Sequence, residues 1–271
     1  MLRHIFFISD GTGITAELIG QAMLTQFDGI EFVQERIPFI NNEEKAEAAA
    51  QKICDTFQRT GTRPIVVNTL VDQHLTDIIS NTKALILDVF KAFLNDLEKE
   101  FDVPRSPGVG RAHGIVDAHA YQERIEATHY ALDHDDGITP NFDDADIIIV
   151  GVSRSGKTPT CLYMALNYSI RAANYPLTED DFEAGGLPAV LKPYRDKLYG
   201  LTIDPFRLHQ IREARRAGSR YSSLRQCEKE VNDAAFLFRQ LKIPNLSTTK
   251  TSVEEISSHI MMDLEIIKEH C

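Results

Sequence analysis

The chain has 271 residues, of which 43% are hydrophobic, and this is enough apolar content for one large domain or two modest ones. Its formal net charge is −11. It contains no run of about 18 apolar residues, so we expect no membrane span, and its acidic balance argues against a general nucleic-acid binder. Its start does not resemble a signal peptide, and its four cysteines form no CxxC pair, so we expect a cytoplasmic protein without a zinc site or a disulfide framework.

The first hundred residues alternate short apolar runs with helical patterns, which is typical of a parallel α/β sheet. The predicted elements, in chain order, are a strand at 4–9, helices at 14–27 and 43–58, a strand at 63–71, and at 83–101 a short strand or buried turn followed by a helix. We therefore expect an N-terminal α/β domain over residues 1–105.

A glycine-containing loop follows the first predicted strand, in the stretch FFISDGTGITAE. It would lie at a helix N-terminus, where backbone N–H groups bind anions. The loop lacks the lysine of a phosphate loop and the full GxGxxG spacing of a dinucleotide-binding loop. Two interpretations remain open. Either Asp10, Gly11, Thr12 and Gly13 contact a phosphate, which we favour, or Asp10 and Thr12 cap the helix.

The segment DVPRSPGVGRAHG (102–114) is rich in proline and glycine and indicates a loop or linker. A helical pattern follows at 121–137. We expect residues 106–140 to form a linker and connecting helix between two domains. The histidines of this region fit no metal-ligand spacing, and His113, in the glycine-containing stretch RAHG, is the one that we keep as a candidate site residue.

The predicted connecting helix ends in the acidic stretch DHDDG, with Gly137 as the residue after the helix. Negative charge is unfavourable at a helix C-terminus, so the acids need another reason to be there. Asp135 or Asp136 would bind Mg²⁺ or accept a proton from a hydroxyl nucleophile. The alternative is a solvated helix end.

The clearest motif is GVSRSGKT, which matches the phosphate-loop pattern G-x-x-x-x-G-K-[ST]. The apolar run DIIIV precedes it, as expected of a central parallel strand, and a helical pattern follows. In such a loop, backbone N–H groups bind phosphate oxygens, the lysine contacts the terminal phosphates and the threonine holds Mg²⁺. The predicted nucleotide-binding residues are Gly151, Val152, Ser153, Arg154, Ser155, Gly156, Lys157 and Thr158. The alternative is a glycine turn between a strand and a helix.

A further acid follows the apolar run LYGLTI within KLYGLTIDPFRLHQIREARR. Asp204 stands where a Walker-B acid would end its strand, and the basic helix behind it carries Arg212, Arg215 and Arg216. Guanidinium groups match phosphate geometry, so these arginines would contact a transferring phosphoryl group. An ordinary solvated helix is the alternative. We expect residues 141–271 to form a P-loop kinase-like α/β domain.

Six motifs occur together and in one order: HIFFISDGTGITAE, ATHYALDHDDGI, GVSRSGKTPT, IRAANYPL, LTIDPFRL and SRYSSLRQC. In this combination the chain resembles a bacterial family of kinase/phosphorylases, the regulatory proteins of phosphoenolpyruvate synthase and of pyruvate, phosphate dikinase. The resemblance covers nearly the whole chain. IRAANYPL and RSGKTP are more similar to the synthase branch.

The resemblance implies a bifunctional regulator of phosphoenolpyruvate synthase. One activity would transfer the β-phosphate of ADP to a threonine of the synthase, which inactivates it and releases AMP. The other would use inorganic phosphate to remove that group, which reactivates the synthase and releases diphosphate. The ADP site would be Gly151–Thr158, and Mg²⁺ is the expected cofactor.

A threonine hydroxyl is a poor nucleophile without a base, and Asp135, Asp204 and Asp10 are candidates for that base. We place Lys157, Asp135 and Asp204 in the predicted catalytic set. Three alternatives remain open. The first is the same chemistry on pyruvate, phosphate dikinase. The second is an ATP-dependent small-molecule kinase, and the third is a nucleotide sensor that controls its partner only by binding. A homodimer is compatible with the sequence, although no feature of the sequence indicates one.

Overall fold

The structure, a computed structural model, describes residues 2–104, 108, 118–137 and 141–266. The chain divides into two compact units, Met1–Val116 and Asp117–Cys271. Much of the predicted linker, including His113, lies outside the described residues. The predicted domain boundaries therefore stay a prediction.

Parallel strands alternate with helices throughout the first unit. The elements are β1 (Leu2–Ile8), α1 (Ile14–Leu24), β2 (Glu31–Ile37), α2 (Glu43–Thr60), β3 (Ile65–Asn68), α3 (Gln73–Ser80), β4 (Leu85–Asp88) and α4 (Val89–Phe101). The strands pair in the order β2-β1-β3-β4, and every pairing is parallel. This confirms the predicted parallel α/β fold of the N-terminal part.

β1 lies inside this sheet because both of its faces are apolar. Ile5 and Phe7 pack on one side, and Phe6 and Ile8 pack on the other, all of them buried. β2 is an edge strand that the sequence patterns did not predict. Its sequence, EFVQERI, interrupts its apolar residues with charged and polar ones and is mostly exposed, so it contains no long apolar run.

The second unit has the same alternation. Its elements are α5 (Ala118–Asp133), a 3-10 turn (Asp135–Gly137), β5 (Ile147–Gly151), α6 (Lys157–Tyr168), β6 (Ala172–Pro176), α7 (Glu179–Glu183), a 3-10 segment (Ala189–Lys197), β7 (Leu198–Thr202), α8 (Pro205–Arg215), a 3-10 turn (Arg220–Ser222), α9 (Leu224–Leu241), β8 (Asn245–Ser247) and α10 (Val253–Asp263). The strands pair in the order β6-β5-β7-β8, again all parallel, which confirms the predicted α/β class.

β5 is the strand that carries the glycine loop, and it is buried on both faces. Ile148 and Val150 belong to one core cluster, and Ile147 and Ile149 belong to the other. After β5 the chain continues to β6, which pairs with one side of β5. It then returns to β7, which pairs with the other side of β5. The loop after β5 therefore lies at a topological switch point, the usual place for a ligand in an open parallel sheet.

The helix predicted at 121–137 ends earlier than expected. α5 stops at Asp133, and Asp136 then adopts a left-handed conformation with φ 53° inside the short turn that follows. Aspartate tolerates this conformation better than most residues. The prediction that the acids continue the helix up to Gly137 was therefore wrong, and Asp135 and Asp136 lie beyond its end. In the part of the chain that is described, no helix has the length and apolarity needed to cross a membrane.

Candidate active site

The glycine loop after β5 has a backbone shaped for an anion. Arg154 and Gly156 adopt left-handed conformations with φ 74° and 96°, and the N–H of Ser155 donates to the carbonyl of Val152 at 3.2 Å. Alternation of right- and left-handed residues turns successive N–H groups inward. α6 begins directly after Gly156 and has no side-chain cap among the residues described, so its first N–H groups are available to a ligand.

Gly151 is required at the start of this loop by close packing of the backbone. A Cβ atom at this position would lie 2.4 Å from the carbonyl oxygen of Leu201 on β7. No side chain fits there without displacing a central strand. Glycine at this position therefore lets the loop begin while the backbone stays packed against β7.

Lys157 is the first residue of α6, and its side chain is buried. It is 4% exposed, and its Nζ donates to the carbonyl oxygen of Val152 at 3.0 Å. Burial lowers the pKa of Lys157 to about 8, and the carboxylates of Asp136 and Asp135 act in the opposite direction. A poorly solvated ammonium beside inward-pointing N–H groups is suited to binding a phosphate.

The predicted acid Asp135 lies next to the loop threonine. The hydroxyl of Thr158 donates to Asp135 Oδ1 at 2.8 Å, although the two residues are 23 positions apart. Asn174 Nδ2 donates to Asp135 Oδ1, and it lies 3.0 Å from Thr158 Oγ1 and 3.4 Å from Asp136 Oδ1. The structure thus brings together three predicted residues and one, Asn174 on β6, that the sequence analysis missed.

Residues on both sides of the acidic turn hold it against β6. The N–H of Asn174 donates to the carbonyl of His134 at 3.1 Å. The His134 ring stacks on Tyr130 with centroids 3.9 Å apart, and its two nitrogens lie 2.9 Å from the carbonyl oxygens of Tyr130 and Asn141. His134 therefore fixes the turn that presents Asp135.

Asp204 occupies a different position from Asp135. It is exposed and caps α8, because its Oδ1 accepts from the N–H of Arg207 at 2.9 Å. Its own N–H donates to Thr249 Oγ1 at 2.8 Å. These contacts are those of a helix cap, and the catalytic role of Asp204 stays a prediction.

Arg212 supports the glycine loop from inside the unit. It is fully buried, and its guanidinium donates to the carbonyl of Ser153 at 3.0 Å, to Glu230 at 2.7 Å and to the carbonyl of Tyr221 at 3.0 Å. The hydroxyls of Tyr221 and Ser153 also lie 3.0 Å apart. The terminal nitrogens of Arg212 thus contact the protein itself, and its phosphate contact stays a prediction. For the exposed Arg215 and Arg216 that contact stays a prediction.

Replacing Arg212 with alanine is expected to lower the free energy of unfolding by about 3–5 kcal/mol, because Glu230 would be left as a nearly buried charge without its partner. Urea unfolding would measure this. Arg215→Ala, on the same helix but exposed, is the matched control and should change stability by less than about 0.5 kcal/mol. Unchanged stability in Arg212→Ala would contradict a structural role for this pair.

The loop after β1 is also free of a side-chain cap. α1 begins after Gly13, which has φ 78°, and among the described residues no side chain caps it, so the capping interpretation of Asp10 and Thr12 was wrong. Asp10 instead accepts from the N–H of Val71 at 3.0 Å, and the N–H of Gly11 donates to Ser9 Oγ at 3.1 Å. The phosphate contact of this loop stays a prediction.

The oxygen atoms beside the glycine loop fit the preference of Mg²⁺. This cation is usually held by one or two carboxylates together with phosphates of the substrate. Thr158, Asp135 and Asp136 supply a hydroxyl and two carboxylates. Within the described ranges, no group of three or more His, Cys, Asp or Glu side chains is arranged for a metal ion. A cation at this site would therefore depend on other oxygen donors as well.

A parallel α/β unit with a glycine loop, a buried lysine and a neighbouring carboxylate is an arrangement typical of phosphotransferases. Comparison with known proteins gives the family. The family model described as kinase/pyrophosphorylase matches residues 5–261, so the chain belongs to this family of phosphotransferase-type enzymes.

Similar proteins match over nearly their full length. The chain is 54% identical to a protein of Xanthomonas campestris pv. campestris (strain B100), 54% identical to one of Xanthomonas oryzae pv. oryzae (strain MAFF 311018) and 53% identical to one of Stenotrophomonas maltophilia (strain K279a). Each alignment covers 99% of this chain and 98% of the relative. All three relatives carry the name "Putative phosphoenolpyruvate synthase regulatory protein".

Proposed function

We propose that this protein is a cytoplasmic serine/threonine kinase and phosphorylase that regulates phosphoenolpyruvate synthase. It transfers the β-phosphate of ADP to a threonine of the synthase, and it removes that phosphate with inorganic phosphate. The observation that carries the proposal is the meeting of Lys157, Thr158 and Asp135 at the glycine loop. The names of the relatives support the synthase as the partner.

In the forward direction the loop Gly151–Thr158 binds the phosphates of ADP through its N–H groups. The threonine oxygen of the synthase forms a bond to the β-phosphorus as the bond from that phosphorus to the bridging oxygen breaks. AMP leaves with the bridging oxygen. Asp135 has one oxygen, Oδ1, toward Thr158, so its Oδ2 is the atom that accepts the threonine proton. Lys157 neutralises charge on the transferring group.

In the reverse direction inorganic phosphate occupies the same anion-binding loop. One of its oxygens bonds to the phosphorus of the phosphothreonine, and the bond from that phosphorus to the threonine oxygen breaks. Diphosphate leaves, and Asp135 takes the proton of the attacking hydrogen phosphate and passes it to the threonine oxygen. The groups that neutralise charge are the same in both directions, which favours one shared site.

Thr158, Asp135 and Asp136 are the residues that would hold Mg²⁺. When bound there, the cation neutralises charge on the phosphates of the nucleotide. In the N-terminal unit, the backbone of Asp10, Gly11, Thr12 and Gly13 is the proposed second phosphate contact, since α1 has no capping side chain among the described residues.

The proposal predicts that phosphoenolpyruvate synthase gains the mass of one phosphoryl group when it is incubated with this protein and ADP. Label from ADP labelled at the β-phosphate should appear on a synthase threonine, and addition of inorganic phosphate should release it as diphosphate. Intact-mass and label measurements check both directions. Label transferred from γ-labelled ATP alone would contradict the proposal, and an unmodified synthase that still binds would favour a sensor.

The same assay separates the remaining alternatives. Pyruvate, phosphate dikinase in place of the synthase tests the other branch of the family. Small acceptors without any protein substrate test a small-molecule kinase. The variant Lys157→Met is the negative control in each reaction, because it keeps the loop but removes the ammonium.

A further inference from the structure

Asn174 occupies an unusual position for a polar residue. It lies in the middle of β6, where asparagine is uncommon, and it is 1% exposed. Its backbone forms a normal part of the parallel sheet beside β5. Its side chain points to the end of the glycine loop, where it contacts Thr158 and the acidic turn.

The amide nitrogen of Asn174 has more oxygen neighbours than it can satisfy. Asp135 Oδ1, Thr158 Oγ1 and Asp136 Oδ1 all lie within hydrogen-bonding range of Nδ2, whereas an amide nitrogen carries two hydrogens. Two of these three oxygens belong to carboxylates, which repel each other. Three converging oxygens, two of them charged, form an environment that is better matched to a cation than to one amide.

The other atom of the amide is left without a partner. Asn174 Oδ1 is buried, and no hydrogen-bond partner reaches it in the structure as described. A buried acceptor without a partner is unfavourable, so such a group calls for an explanation. Rotation of the amide by 180° exchanges its oxygen and nitrogen within the same volume, and this would turn Oδ1 toward Thr158 and the two carboxylates.

We propose that Asn174 is a ligand of a divalent-cation site that it forms with Thr158, Asp135 and Asp136. Without the cation, the N–H groups of Asn174 point to the three oxygens and offset their negative charge. With the cation, the amide turns and contributes its carbonyl oxygen, so that four protein oxygens face one hard ion. The inference deepens the proposed function, because it assigns a new residue to the cation of that reaction.

Substitutions at position 174 separate an oxygen ligand from a hydrogen-bond donor. Asn174→Ala removes both atoms, and we expect Mn²⁺ to bind about 10-fold or more weakly. Asn174→Asp keeps the oxygen and removes the donor, so Mn²⁺ should bind at least as tightly as in the wild type. Without a cation, however, Asn174→Asp brings a third carboxylate into the cluster. Its thermal midpoint should therefore rise more on addition of Mg²⁺ than that of the wild type.

The experiment is a titration of the full-length protein with Mn²⁺, in which free Mn²⁺ is followed by electron paramagnetic resonance in the absence of nucleotide. Asn167→Asp and Asn167→Ala are matched controls, because Asn167 is exposed on α6 and bonds only to the carbonyl of Tyr163 among the contacts described. Both should bind Mn²⁺ as the wild type does. Circular dichroism establishes that each variant is folded.

Three results would overturn the inference. The first is wild-type Mn²⁺ affinity in Asn174→Ala. The second is a loss in Asn174→Asp equal to that in Asn174→Ala, since this would show that the N–H groups matter and the oxygen does not. A wild-type protein that binds no Mn²⁺ also overturns it. Phosphoryl transfer to the synthase is measured separately, so its failure would reject the proposed function without changing the titration.

Discussion

Lys157→Met is expected to slow phosphoryl transfer about 10²–10³-fold and, at the same time, to make the ligand-free protein more stable. Lys157 holds its ammonium in a buried position against one carbonyl oxygen, that of Val152. Removing a charge that stabilises a transition state typically lowers the rate by about 10²–10³-fold. Because methionine is similar in length and apolar, it fills the same volume without the cost of a buried charge.

The gain in stability follows from the pKa of Lys157. This pKa falls from 10.5 to about 8 on folding, so the folded protein binds this proton less tightly than the unfolded chain does, although the ammonium remains the main form at pH 7. Between pH 8 and 10.5 the unfolded chain binds more protons, and the free energy of unfolding therefore rises with pH in that window. The rise amounts to about 3 kcal/mol in total. At pH 7 the protein is less stable by this amount than it would be if the pKa of Lys157 were the same in the folded and unfolded states.

Urea unfolding at pH 7 and at pH 10, without ligands, measures this effect. The wild type should gain stability between the two values relative to Lys157→Met, and the variant should be the more stable protein at pH 7. Lys192→Met, at an exposed position, is the control and should show neither difference. A variant that is less stable at pH 7, or one that transfers phosphate at the wild-type rate, would contradict the role given to Lys157.

The sequence predicted the second unit best where a pattern is local. The run DIIIV, the glycine loop and the helical pattern after it correspond to β5, the loop and α6. Each depends on neighbouring residues only: an apolar strand buried on both faces, glycines for backbone conformation, and helical periodicity. The positions of the acids could not be predicted in the same way.

Asn174 and Arg212 show why the contacts of other residues at the site could not be predicted from local patterns. β6 has the sequence AANYP, which is neither apolar throughout nor rich in β-branched residues, so no strand was predicted there. Arg212 lies in a basic helical pattern that resembles a solvated surface, and its partner Glu230 is on another helix, 18 residues away. Pairing between distant elements is set by packing, which periodicity does not contain.

The two units share an arrangement that the sequence does not reveal as a repeat. Each sheet has the strand order 2-1-3-4 when its own strands are numbered along the chain, and in each a glycine loop follows the first strand. In the first unit this loop is Ser9–Gly13, without a lysine, and in the second it is Gly151–Thr158, with Lys157. Equivalent topology thus places both loops at the carboxyl end of a central strand, where anions bind in such sheets.

Asp135→Asn is expected to lower kcat about 10²–10⁴-fold while the protein remains folded. The substitution keeps the shape of the side chain, and its amide can still bond to Thr158, but it can neither accept a proton nor carry the negative charge beside the loop. Steady-state rates with ADP and the synthase measure the forward direction, and release of diphosphate measures the reverse.

Asp204→Asn is the matched comparison for Asp135→Asn. Asparagine caps a helix about as well as aspartate, so this change should leave both the stability and kcat close to those of the wild type if Asp204 only caps α8. A loss of rate confined to Asp204→Asn would instead assign the base to Asp204 and reject Asp135.

The two directions provide a second test of Asp135. If it transfers the proton in a site shared by both reactions, Asp135→Asn should slow phosphorylation and dephosphorylation by similar factors, because each reaction passes through the same transfer between the threonine oxygen and Asp135. A variant that loses only one direction would show that the other uses different residues. In that case the second phosphate contact, proposed at the loop after β1, would be the first place to look for them.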